Sequence, residues 1–137
     1  MALTSTATGV VQAREHERMS RPRNDLPMLS FASAGELRCW LAQHHASSPG
    51  MWLRIFKPHA HVASVSFAEV LDEGLCFGWS ESSRQAYDEV SYLQRFTPRK
   101  RVGTQSQRNR ERVRVLRKEG RMTPAGLRVL GLEPSPT

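Results

Sequence analysis

The sequence predicts an α+β fold: a small antiparallel sheet packed with about four helices in a single domain. Three observations lead there. Two serine capping boxes open segments with helical apolar spacing, a run of bulky apolar residues has strand periodicity, and two further segments read as a hairpin. A chain of 137 residues suffices for one hydrophobic core. Its 39% hydrophobic content is modest, yet too high for wholesale disorder.

Residues 1–28 read as a disordered tail, without periodic apolar positions and interrupted by Pro22 and Pro27. Glu15 and Glu17 argue against a transit peptide, and the lack of a long apolar stretch argues against a secretion signal. The predicted domain spans 29–131. Ser33 with Glu36 opens a helix from about Ala34 to His44, with Leu37, Trp40 and Leu41 on one face. Ser48-Pro49-Gly50 is a turn, and Met51 to Lys57 reads as a strand that Pro58 ends. Ser66 with Glu69 starts a second helix carrying Phe67, Val70, Leu71, Gly74 and Leu75, and Gly78 stops it. Ser82–Tyr87 and Val90–Phe96 form the hairpin candidate, although Asp88-Glu89 lacks the glycine such a turn favours. A third helix is expected from about Ser106 to Glu119. Thr123-Pro124 caps a short fourth helix closed by Gly131, and residues 132–137 read as a frayed end.

Net charge is +7, and it is unevenly distributed. Residues 95–121 hold eleven basic and two acidic side chains, whereas residues 25–94 hold four basic and eight acidic. A basic segment on a mildly acidic body points to an anionic partner. Within the third helix, Asn109, Val113 and Leu116 share one face, while Arg110, Arg114, Arg117 and Lys118 form a stripe on the flank. That stripe is either a solvated outer face or an anion-binding site for a polyanion or nucleic acid, bound nonspecifically through phosphates. Phe96 is the segment's only aromatic residue, which disfavours a base-stacking platform.

Asn109, on the apolar face, either ties down the loop from Pro98 to Thr104 or joins a possible pocket with Trp79, Glu81 and Arg99. Trp79 reads more readily as core packing than as a cleft ring, and Glu81 more readily as solvent-facing. Lys57, at a strand end, pairs with Glu81, faces an anionic ligand or, as the simplest reading, is a surface lysine. His59, His61, His44 and His45 lack the further ligands of a tetrahedral metal site, so no metal and no cofactor is expected. Cys39 and Cys76 are expected to be buried thiols in a reducing, cytoplasmic setting. With no nucleophile elbow, phosphate loop or acid pair, no catalytic residue is assigned, and the chain leans away from an enzyme. Glu69, Asp72 and Glu73 read as capping or exposed acids. No apolar run could span a bilayer. Oligomeric state is not legible.

The order of several short motifs carries a family likeness. Phe31-Ala32-Ser33 through Trp40-Leu41-Ala42, Gly50-Met51-Trp52-Leu53-Arg54, Leu75-Cys76-Phe77-Gly78-Trp79, Arg95-Phe96-Thr97-Pro98-Arg99, Asn109-Arg110-Glu111-Arg112 and Gly120-Arg121-Met122-Thr123-Pro124-Ala125-Gly126 follow one another over roughly residues 28–130. This arrangement resembles the YdeI/OmpD-associated family of bacterial proteins, often labelled bacteriocin-protection proteins. The resemblance implies a small cytoplasmic α+β domain and supplies no reaction or cofactor. The chain departs from that family's pattern at Glu81, where an aspartate is usual, and at Gln105, where a tryptophan is usual. The expected function is a non-enzymatic binding or stress-protection module that engages an anionic partner through its basic helix. The alternative is a small enzyme or ligand-binding protein built around Trp79, Glu81, Arg99 and Asn109.

Overall fold

Helices start where serine and threonine hydroxyls can accept orphan backbone amides. In the computed structural model, which describes residues 25–100 and 106–132, Ser33 Oγ accepts from the Glu36 amide at 3.2 Å and α1 runs Ala34–His44. The Glu36 carboxylate reaches back one residue further than expected, to the Ala32 amide at 3.0 Å. Ser66 and Glu69 form the full reciprocal box that opens α2, Phe67–Phe77. Ser106 caps α3, Gln107–Lys118, and Thr123 caps α4, Pro124–Val129. Gly78 terminates α2 with φ +81°, and a side chain there would also press on Val129.

The strands are β1 (Met28–Leu29), β2 (Met51–Phe56), β3 (Trp79–Ala86) and β4 (Ser91–Pro98), in spatial order β1-β2-β4-β3. The pairs β2/β4 and β4/β3 are antiparallel, as expected. β1 adds a parallel pairing, with Met28 opposite Trp52, so the sheet is mixed. Two residues after a proline carry no alternation, so the sequence pattern alone places residue 28 in the tail. Met28 is in fact 3% exposed, and the Asp25 carboxylate lies 2.8 Å from Arg95. The remainder of the expected N-terminal tail, residues 1–24, lies outside the described residues. So do 101–105, which hold Gln105, and 133–137. Leu132, expected in the frayed end, packs against the core, and its amide donates to the Leu127 carbonyl at 2.7 Å.

The hairpin is displaced from its expected limits because β3 follows α2 directly, without an intervening loop. Its turn works without glycine. Asp88 Oδ1 accepts from the Val90 amide at 3.0 Å and from Ser91 Oγ at 2.7 Å, which folds the chain back locally. The register shifts between Glu81 and Arg84, a bulge at Ser82–Ser83. Buried Gln94 serves that irregularity, donating to the Ser83 carbonyl at 3.0 Å and accepting from Arg84 Nε at 3.3 Å.

One face of the sheet, with Met51, Leu53, Ile55 and Phe96, packs against Leu37, Leu41, Val70, Leu75, Val113 and Leu116. The other carries a smaller cluster of Met28, Trp52 and Leu93. At the helix junction Glu73, only 2% exposed, accepts from Arg38 and Arg121, each at 2.9 Å. Arg38 also donates to the Arg121 carbonyl at 2.7 Å, and the Thr123 hydroxyl donates to the Cys76 carbonyl. Gly126 lies so close to that carbonyl that a Cβ would collide with it. The segment Gly120–Gly126 is thus a clasp joining α1, α2 and α4.

Candidate anion-binding face

Burial of Val113 (2% exposed) and Leu116 (0%) fixes the rotation of α3 about its axis. The remaining residues divide between two flanks. On the flank toward α2, Arg112 forms a bidentate pair with Asp72, both N···O distances being 2.7 Å. These hydrogen bonds raise the Arg112 guanidinium above its ordinary pKa. Asn109, Arg108, Glu111 and Arg112 line a groove of about 380 Å³ with Ala68, Leu71, Leu75 and Val115. Asn109 therefore lies beside α2. Its expected loop contact falls largely on residues outside those described.

The opposite flank brings together all four residues of the sequence-derived stripe. Arg110, Arg114, Arg117 and Lys118 are exposed and, with Val113 and Leu132, line a groove of about 450 Å³. Arg110 donates to the Gln107 side-chain carbonyl. Among the described residues no carboxylate lies within 4.0 Å of Arg114, Arg117 or Lys118. Like charges four residues apart repel by roughly 0.2–0.5 kcal/mol per pair. Arg114 and Lys118 retain that repulsion with no carboxylate within 4.0 Å among the described residues. A bound anion would relieve it.

Among the described residues, neither groove along α3 gathers the other candidate residues. Trp79 is 1% exposed and belongs to the core: its ring centroid lies 5.9 Å from that of Trp40 and 5.1 Å from that of Phe96, and its Nε1 donates to the His45 carbonyl at 3.4 Å. Arg99 lies near the start of β3, its amide donating to the Gly78 carbonyl at 2.9 Å. Burial pulls the Arg99 guanidinium below its ordinary pKa, against the opposing charge of Glu81. Lys57 lies at the far end of the sheet. The register aligns Glu81 with Phe96 and Met51, whereas Lys57 follows Phe56, which pairs with Ser91. At roughly 3.4 Å per residue, about 17 Å or more separates the two positions. Neither groove along α3 is lined by Trp79, Glu81 or Arg99.

Two further expectations are corrected. Glu73 is buried, not exposed, because it falls beside Val70, Gly74 and Phe77 on the apolar face of α2. That spacing was the available signal for it. Its arginine partners, 35 and 48 residues away, gave none. Cys39 is exposed on α1, while Cys76 is buried. Burial pushes the Cys76 thiol up and keeps it protonated, despite the opposing influence of Arg38. The imidazole Nε2 of His59 lies 3.1 Å from the Glu89 carbonyl oxygen. Among the described residues no three of His, Cys, Asp and Glu gather to hold a metal, and no helix is long and apolar enough to cross a membrane.

A family model described as Domain of unknown function (DUF8412) matches residues 29–129. No curated protein and no solved structure matches the chain.

Proposed function

The chain belongs to the DUF8412 family of domains of unknown function, and on that premise we propose that it is a non-enzymatic module that binds anions through the outer flank of α3. One observation carries this reading. Arg114, Arg117 and Lys118 lack carboxylate partners among the described residues, and together with Arg110 they border a single groove. Four cations held that close attract phosphate or carboxylate groups and release condensed counterions from a polyanion. The resemblance of its motif order to YdeI/OmpD-associated proteins favours a stress-protection role of the bacteriocin-protection kind. The two free thiols suit a cytoplasmic setting.

The test is retention on heparin and on duplex DNA across a salt series. Retention is expected at low salt. With at most four phosphates neutralised, the DNA affinity should fall with a log–log salt slope of about −3 to −4. R114E/K118E should abolish retention. Failure of the native protein to bind either matrix at low salt would overturn the reading.

A further inference from the structure

The basic groove has an apolar floor, and that floor narrows what it can hold. Val113 and Leu132 form its non-polar part, while Arg110, Arg114, Arg117 and Lys118 supply both charge and aliphatic stems. A uniformly charged, hydrated polymer would engage only the guanidinium and ammonium tips and leave the floor wet. A molecule with one anionic head and one apolar chain satisfies both parts. The volume of about 450 Å³ falls within the roughly 300–1,000 Å³ usual for small-molecule sites.

We infer that the outer groove of α3 binds a free single-chain amphiphile with an anionic head, such as a long-chain alkyl phosphate or carboxylate. The head sits among Arg114, Arg117 and Lys118, and the chain lies over Val113 and Leu132. This inference rests on the anion-binding reading and names the ligand class of the same face. No covalent step is involved. Both grooves along α3 have an apolar lining, but only the outer one is lined by basic side chains without an acid, since Asp72 and Glu111 stand beside Arg108 and Arg112 in the groove next to α2.

The experiment is calorimetric titration of the whole protein with methyl, butyl, octyl and decyl phosphate, each below its micelle concentration. Affinity should rise with chain length by up to about fourfold per buried methylene, equivalent to about 0.8 kcal/mol, and level off once the groove is full. Heparin should compete with octyl phosphate. Leu132→Ser removes part of the floor at a half-buried position and should flatten the chain-length series while methyl phosphate affinity changes least. R114E/K118E should abolish amphiphile binding and heparin retention alike. A flat chain-length series with intact heparin retention would overturn the inference and leave the anion-binding reading standing. Loss of both kinds of binding in the native protein would overturn both. Amphiphile binding insensitive to both variants would place it elsewhere and sink the inference, as would binding to phosphatidylglycerol vesicles without any binding of the free amphiphiles.

Discussion

Two arginine clusters within one small domain have opposite fates. At the helix junction, Arg38 and Arg121 close on Glu73, a carboxylate almost fully removed from water. On the outer flank of α3, Arg114, Arg117 and Lys118 face solvent with no acid in reach among the described residues. The same side-chain chemistry therefore does two jobs, and burial of the counter-charge decides which. A sequestered acid turns arginine into a fastener, because separating the pair would strand a charge in a poorly solvated site. Without such an acid, the charge is left available to an outside partner.

Removing the acid should separate the two clusters most sharply. Glu73→Gln is expected to cost about 3 kcal/mol of stability, near the low end for breaking a buried pair because both arginines are one-third exposed. Urea unfolding checks the cost, and heparin elution of the folded variant should be unaltered. A fall in retention would mean that the junction and the flank are not independent. A smaller effect is expected at the hairpin turn. Burial tends to raise the Asp88 carboxyl, but hydrogen bonds from Ser91 and the Val90 amide, together with Arg54, outweigh it and hold its pKa below the ordinary value. The stabilisation is thus present above the unfolded carboxylate value and is lost as pH falls through the lower folded one. Asp88→Asn should cost about 0.5–1 kcal/mol at neutral pH, since the carboxylate is exposed and screened although Arg54 is mostly buried. That difference should begin to shrink as pH falls below about 4 and vanish only below the lower folded value, in unfolding curves taken across pH. The smallest effect belongs to the flank itself. R114E/K118E should leave stability within about 0.5 kcal/mol of the native protein, or slightly raise it by relieving like-charge repulsion. A loss of 2 kcal/mol or more in thermal or urea unfolding would show that these cations have internal partners after all.

What the sequence disclosed follows from the range of each interaction. Helix starts were legible because Ser33, Ser66, Ser106 and Thr123 each act on an amide three residues away. The charged stripe was legible for the same reason, since helical periodicity alone puts Arg110, Arg114 and Arg117 together. The parallel strand at Met28 was not, because its partner Trp52 lies far along the chain and two residues carry no pattern. Nor was the division of α3 into a flank tied to α2 and an outer flank, which depends on Asp72 of α2 meeting Arg112 across 40 residues. The groove floor was invisible for a related reason. Leu132 was assigned to a fraying end, and only the docking of α4 carries it alongside Val113.

The doubled serines on β3 have a consequence for crowded solutions. β3 closes one end of the described sheet, and its hydrogen-bonding row is broken midway at Ser82–Ser83. A stray extended chain copying that rim would lose its register after a few residues and meet Glu81 or Arg84 on either side of the break. Fibril growth by strand templating should therefore find little purchase there, although β3 ends the described sheet.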